Sequence, residues 1–488
     1  MDGKTIDTRY AGRYSVLAAI MLGGIMGPID ASIVNVILPT ITQYFGVSIS
    51  TAQWVPMIYL LTISSLLLFY GRLGDILGYK KVYLSGLAGF VIASGLCGFS
   101  PTIHWLIAFR AVQGLAAGMM MAVPYAIITA TFPAAERGKA LGINATSISA
   151  GLAIGPSLGG FITSLLNWRF VFLINIPIGI AALLWGRRVI PELKGQPGAV
   201  DIPGAVTAFI SLFSTLLFVN RFQSLGLSYA TGIMLLVAVL AGVAFLRIES
   251  TVTQPMLNLS LFRNVTFSFA NFSALLNFMS QYVTVFLTPF YLQRVLHYAP
   301  NKVGLIMTSF PLAVMVIAPF SGSLSDRVGT RILTCLGAGT SALSLFLMSR
   351  LPASASTADV VWRLALFGLG TGIFQSPNNS AVMGSAPKSH LGVASGILAT
   401  MRNVGMALGI AMGGAVLYAI VPSHILQKAT LESSEIAAFL SGLKYAYIAG
   451  GILSAIASLT SLVTTTEKNG AHESFVNVQK DIIFPGVL

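Results

Sequence analysis

Charge is what this chain has least of. Only 9% of its 488 residues are Asp, Glu, Lys or Arg, where a soluble domain carries about 25%. Cysteine is nearly absent: Cys97 and Cys335 each fall inside a hydrophobic run, where an inert buried thiol is expected and nothing is implied about redox compartment. The short signatures of common enzyme chemistry are missing too. No His-Glu-x-x-His, Cys-x-x-Cys or Gly-x-Ser-x-Gly pattern occurs, so neither a metallopeptidase, a dithiol site nor a serine-hydrolase elbow is indicated. Gly3-Lys4-Thr5 resembles the end of a phosphate-binding loop but has no room upstream for the loop's first glycine, which argues against ATP hydrolysis. Gly368-x-Gly370-x-Gly372 lies within a hydrophobic run, not after a strand, and reads as helix packing.

What is present is apolar. Hydrophobic residues make up 55% of the chain and the mean hydropathy is +0.82. Runs of bilayer-spanning length, roughly 20 residues each, start near residues 14, 51, 82, 104, 138, 168, 203, 229, 265, 302, 331, 360, 392 and 441, which gives fourteen candidate spans. The first is too long for a signal-peptide core and lacks a cleavage pattern, so it reads as a retained helix. The net charge of +13 is a topology signal rather than a nucleic-acid footprint. With the N-terminus placed in the cytoplasm, most Lys and Arg fall on that side, among them Arg9, Arg13, Arg72, Lys80, Lys81, Arg137, Lys139, Arg187, Arg188, Arg327 and Arg331. An even span count puts both termini there.

One carboxylate breaks the pattern. Asp30 sits in the middle of the first run, beside Pro28, and at the centre of a bilayer an ionised Asp costs about 2.5–3.5 kcal/mol on insertion scales. Pro28 has no backbone N–H, so the carbonyl of Gly24 loses its helical partner. The other acids map to ends, loops or tails, and His104, His297, His390, His424 and His472 are peripheral. Asp30 is therefore the one acid left at mid-span, which suggests a binding or proton-handling site. A structural salt bridge is the plainer alternative. Two cations also fall inside spans, Arg110 and Arg402. The first is a candidate partner for Asp30 or a stabiliser bound to backbone carbonyls, and the second a substrate contact or a residue near a span's end.

A repeat organises the chain. Gly71-Arg72-Leu73-Gly74-Asp75-Ile76-Leu77-Gly78 follows the second span, and Gly322-Ser323-Leu324-Ser325-Asp326-Arg327-Val328-Gly329 follows the tenth. Both read Gly-x-Leu-x-Asp-x-x-Gly with cations at the end: glycines for a tight turn, an acid for a helix terminus, and cations for the leaflet. A parallel repeat of this kind places a substrate site at midplane between two halves. The expected division is 1–190, an N-terminal six-helix bundle; 191–260, a Pro/Gly-rich linker with two extra helices; 261–465, a C-terminal six-helix bundle; and 466–488, a polar, disordered cytoplasmic tail. Ser423 to Leu440 is expected as an outer loop holding a short surface helix. The fifth span carries small residues as Gly142-x8-Gly151-x3-Gly155-Pro156-x2-Gly159-Gly160, a spacing that lets helix backbones approach closely.

The repeated loop, this glycine-proline array and Leu106-x3-Arg110-x2-Gln113-Gly114 together resemble the signature motifs of the major facilitator superfamily. The array is similar to the antiporter motif of its drug/proton exporters. Ile29-Asp30-Ala31-Ser32-Ile33-Val34-Asn35-Val36-Ile37-Leu38-Pro39, Asn167 to Gly179 and Tyr291-Leu292-Gln293 resemble the fourteen-span branch, the drug/proton antiporter-2 family. The departures are Ser32 where Thr is usual, and Ile76 where the first loop often has Arg. The resemblance covers about residues 14–465. It implies an all-α polytopic fold of two six-helix bundles plus two extra central transmembrane helices, and a proton-driven antiporter in the cell membrane that exports amphipathic compounds by alternating access. No cofactor and no ATP are expected.

Proton coupling then falls to Asp30, with Arg110 at the family position associated with proton transfer. Gating falls to Gly71, Arg72, Asp75, Gly78, Gly322, Asp326, Arg327 and Gly329, and restraint of proton leak to the array from Gly142 to Gly160. A cavity is expected from polar and soft groups at mid-span: Asn35, Gln113, Asn277, Gln281, Tyr282, Phe374, Gln375, Asn378 and Arg402, with Met119, Met120, Met121 and Asn379 nearby. Expected partners are a small-molecule substrate, protons and the bilayer, with no nucleic acid; a periplasmic adaptor is left open, and the chain is expected to act as a monomer. The rival readings are a narrow-specificity metabolite exporter, a symporter and a non-transporting membrane sensor.

Overall fold

The computed structural model describes residues 12–192, 201–225, 228–252, 255, 257, 259–387, 391–428 and 431–464. Much of the Pro191–Pro203 linker and the tail after Thr464 lie outside the described residues, which contain no strand. The long helices are α1 Arg13–Gly24, α2 Met26–Phe45, α3 Trp54–Leu77, α4 Tyr79–Gly98, α5 Ile103–Ala122, α6 Ala134–Leu165, α7 Asn175–Val189, α8 Ile202–Leu225, α9 Tyr229–Thr251, α10 Val265–Phe290, α11 Pro300–Val328, α12 Thr330–Met348, α13 Thr357–Gly384, α14 Leu391–Ile420 and α15 Ser433–Ser461. The first two form one rod broken at Ile25, three residues before Pro28, where the proline leaves the backbone ladder short of a donor.

Among the described residues, twelve helical segments are long and apolar enough to cross a membrane. Two further runs, those starting near 138 and 265, form long helices that are not among the twelve: in α6 the apolar stretch among the described residues is Ala150–Leu165, and α10 carries Asn271, Asn277 and Gln281 on buried faces. Both helices pack extensively on others: α6 on α2 and α11, and α10 on α14, α15 and α13. A helix wrapped by other helices can afford polar side chains that find partners there.

The last helix departs from expectation. It starts at Ser433 rather than near 441, because Glu432 and Glu435 form a reciprocal capping box that fixes its first turn. The loop before it does hold a short helix, Ser423–Gln427. Lys428 Nζ reaches Glu435 Oε1 at 2.6 Å and Glu432 Oε1 at 3.1 Å, and the bond to Glu435, seconded by that to Glu432, raises the ammonium above the ordinary lysine pKa.

The sequence repeat is also a packing repeat. In the first half α2 packs on α6, α3 on α5, α4 on α5 and α4 on α7; in the second, α10 packs on α14, α11 on α13, α12 on α13 and α12 on α15. The two loops share a backbone as well: Gly78 has φ 92° and ψ 134°, Gly329 φ 89° and ψ 156°, values that only glycine adopts without strain. The halves meet where α6 packs on α11 and α3 on α14. Helices α8 and α9 are central in the chain but lateral in the fold: α8 covers α14 and α3, while α9 packs on α8 and leaves most of its apolar side chains exposed.

Candidate functional site: a buried ion pair beside a central cavity

Asp30, on the first full turns of α2, points into the first half of the molecule, where its side chain is wholly buried. Arg110 on α5 meets it there, equally buried, its Nη1 donating to Asp30 Oδ2. The same guanidinium donates to Gln113 Oε1 at 2.6 Å and, through Nε, to the Val55 carbonyl at 3.2 Å. Two amides complete the carboxylate's shell: Gln113 Nε2 donates to Asp30 Oδ1 at 3.1 Å and Asn175 Nδ2 at 3.3 Å. Gln113 also donates to Ser94 Oγ at 2.9 Å. One acid thus ties together α2, α3, α4, α5 and α7.

In an apolar interior such a pair survives only because each charge neutralises the other and the remaining lone pairs and protons find partners. Arg110 Nη2 alone is left without an acceptor.

Tyr59 forms the wall on the other side. Arg110 Cζ lies 4.0 Å from the centre of its ring, within range for a cation–π contact, and the ring lines a cavity of about 330 Å³ between the two halves. The Tyr59 hydroxyl is buried with no hydrogen-bond partner. The cavity wall is built from α2, α3, α5, α6, α10, α11, α13 and α14, and it continues past Tyr125, Asn379 and Ser395 toward the end of the molecule at which α1 begins.

At the opposite end the halves are sealed. Thr40 Oγ1 donates to Gln293 Oε1 at 3.5 Å, Gln293 Nε2 to the Val36 carbonyl at 3.2 Å, and the Ser50 backbone N–H to Tyr418 Oη at 3.2 Å. Further along the seam, the Asn301 N–H donates to Ser164 Oγ at 3.1 Å, and the hydroxyls of Ser157 and Thr308 lie 2.7 Å apart.

The glycine-proline array sits on both seams. A Cβ added at Gly151 would lie 2.9 Å from Ile25 Cγ1, at Gly155 3.1 Å from the Ile29 carbonyl, and at Gly159 2.9 Å from Ile33 Cγ1, all on the Asp30-bearing rod. Gly160 and Pro156 face the other half, against Pro300 and Gly304 of α11. The fifth-span helix is therefore clamped between the rod that bears Asp30 and the opposite half. The side chains of Asp326 and residue Gly142 lie outside the described set. Asp75 stays within its own loop, accepting from Tyr79 Oη at 2.6 Å with Arg72 Nη1 3.6 Å away.

The structure divides the expected cavity residues. Gln281, Tyr282, Gln375 and Arg402 line the cavity, as do Met120, Met121 and Asn379. Five do not. Gln113 belongs to the ion-pair shell; Asn35 donates to the Ala31 carbonyl at 2.7 Å; Asn277, Phe374 and Asn378 are buried in helix packing. Polarity at mid-span marked these positions, but the direction in which each faces from its helix is set by neighbours that the sequence does not reveal. Sequence reasoning gave no role to Tyr59, one aromatic among many in apolar runs, or to Asn175, which lay inside a quoted motif. It also missed Arg294, which is buried, stacks on Phe290 and donates to the Leu426 carbonyl at 3.1 Å.

Comparison with known proteins follows from this geometry. The family model described as Major Facilitator Superfamily matches residues 20–409 and, in a second match, 270–482. The chain is 35% identical over 401 residues to the riboflavin transporter RibZ of Clostridioides difficile, covering 82% of this chain and 87% of that protein. It is 32% identical over 406 residues to the multidrug resistance protein Stp of Mycobacterium tuberculosis, covering 83% and 75%. Among solved structures, a bacterial homolog of the human lysosomal transporter Spinster, in an inward-facing and occupied conformation, matches with a TM-score of 0.67 at 16% identity, over 93% of this chain and 96% of that one, a likeness of fold alone.

Proposed function

The chain belongs to the major facilitator superfamily, and on that premise we propose that it is a proton-coupled antiporter that exports amphipathic small molecules, a multidrug efflux pump of the fourteen-span drug/proton antiporter-2 kind. It is a multi-pass membrane transporter rather than an enzyme. In this reading α6 and α10 also cross the bilayer, which brings the count to fourteen, and α8 and α9 are the extra pair between two six-helix bundles. Both termini face the cytoplasm at the cell membrane. The cavity then opens inward and the Thr40–Gln293 and Ser50–Tyr418 contacts close the outside.

The observation that carries the proposal is the fully buried Asp30–Arg110 pair, separated from the central cavity by one aromatic ring. A carboxyl in apolar surroundings holds its proton tightly, and water or a nearby cation releases it. Asp30 takes up a proton when the cavity faces outward, letting go of Arg110, and gives it up inward as Arg110 returns. Substrate binding and protonation then exclude one another through the position of Arg110 and Tyr59. No nucleotide or cofactor enters; the proton gradient drives the cycle. The loops around Asp75 and Asp326 latch the cytoplasmic side when it closes, and the close helix contacts at Gly151, Gly155 and Gly159 keep protons from leaking past α2.

One observation favours a narrower reading: the relative at 35% identity is named for a single compound, riboflavin. Uptake into inside-out proteoliposomes, with an imposed gradient acidic within, separates the readings. The multidrug reading predicts gradient-driven accumulation of several unrelated lipophilic dyes; uptake of riboflavin and none of the dyes would support the narrow exporter, and no gradient dependence for any compound would remove antiport.

A further inference from the structure

We infer that the central cavity grips its ligand by a carboxylate, through Arg402 and Asn403 on α14, and binds amphipathic anions in preference to uncharged or cationic ligands of the same shape. This deepens the transport reading and rests on it for the cavity's being a substrate site.

The charges of the wall point that way. Among the described residues no Asp or Glu lines the cavity, and Arg402 is its one ionised side chain. No carboxylate pairs with Arg402 among the described residues. Asp30, on α2, already has Arg110 and lies behind Tyr59. Beside Arg402, Asn403 is 3% exposed and its Nδ2 has no acceptor. A half-buried guanidinium without a counter-charge and a buried amide N–H without a partner lack the same thing, an acceptor bearing negative charge. Burying such donors unpaired is costly, and a charge-assisted bond is about twice as strong as a neutral one.

On the neighbouring helix α10, Gln281 offers an unpartnered Oε1, suited to a hydroxyl or N–H on the ligand's body. Around these groups the lining is soft and aromatic: Tyr59, Met120, Phe278, Tyr282 and Phe310. Such a surface takes a flat apolar ring system and leaves orientation to the few polar atoms. A cationic ligand of the same outline would bring like charge toward Arg402 in a medium of low dielectric, where repulsion is strong.

7-Methoxycoumarin-4-acetic acid and its methyl ester share their ring system, carry no other ionisable group and differ by one carboxylate, and both report their own binding by anisotropy. Titrated against the purified full-length protein in detergent, the wild type is expected to bind the acid roughly ten-fold or more tightly than the ester, since ten-fold corresponds to a single charge-assisted hydrogen bond. Arg402→Gln should erase that preference while leaving ester binding unchanged, which also certifies that the variant is folded. Arg402→Lys, which keeps the charge without the planar fork, should retain part of it. Equal or tighter binding of the ester by the wild type, a preference that survives Arg402→Gln, parallel weakening of both probes, or no binding of either would each overturn the inference. Because binding is read at equilibrium with no gradient, failure of proton-driven flux would remove the antiport reading and leave this preference standing.

Discussion

At the residue scale, Asp30 and Arg110 hold one another at a depth where neither charge is stable alone. Arg110→Gln leaves Asp30 buried without a cation and should lower stability by about 3–5 kcal/mol if the carboxylate stays ionised, read as a fall in melting temperature in detergent. Adding Asp30→Asn should recover much of that loss, so the double variant melts above Arg110→Gln alone; equal or lower melting would mean that the two charges are not coupled. Asp30 was legible in the sequence by elimination, as the single acid in apolar runs, while Arg110 was picked out as its partner by the place it holds in a motif resembling the family's. The residues around it were not legible. Tyr59, Asn175 and Ser94 are ordinary members of helical runs, and their importance comes from which side of a helix faces Arg110. The same gap explains the divided cavity set, in which Gln281 and Arg402 reach the space while Asn277 and Asn378, equally polar, turn into the packing.

At the scale of elements, the fifth-span helix holds its place because its glycines remove side chains where backbones meet. With Ile33 Cγ1 2.9 Å and its carbonyl 3.3 Å from the place a Cβ would take at Gly159, Gly159→Val must push α6 away from α2. Overpacking of this kind costs about 1–3 kcal/mol. The leak reading adds a functional expectation: proteoliposomes of Gly159→Val should lose an imposed pH gradient faster than wild type without any substrate, as followed by an internal pH dye. An unchanged leak with reduced stability would make the array a packing device only. The existence and order of the helices followed from hydropathy, and the repeat foretold the matching packing pairs. What hydropathy could not settle is the status of α10, whose Asn271, Asn277 and Gln281 are buried against neighbouring helices; and the start of α15 depended on a capping box in a stretch that reads as loop.

At the scale of the molecule, the two halves touch tightly at one end and part around the cavity toward the other, and the proposed alternating access requires the seal to open and the far end to close. Thr40 and Gln293 bond across the seal at 3.5 Å. Cysteines introduced at both positions and joined by a short bismaleimide should arrest turnover while leaving equilibrium binding of a cavity ligand from the open end intact. Continued turnover of the cross-linked protein would mean that the halves do not rock about this seam. The most direct test of the whole account concerns Asp30 in proteoliposomes, comparing wild type with Asp30→Asn in two assays: accumulation of a transported compound against its gradient under an imposed pH difference, and its passive exchange with no pH difference. The account predicts that the wild type performs both and that Asp30→Asn keeps exchange but loses all pH-driven accumulation; uphill accumulation by Asp30→Asn in step with the pH gradient would contradict it.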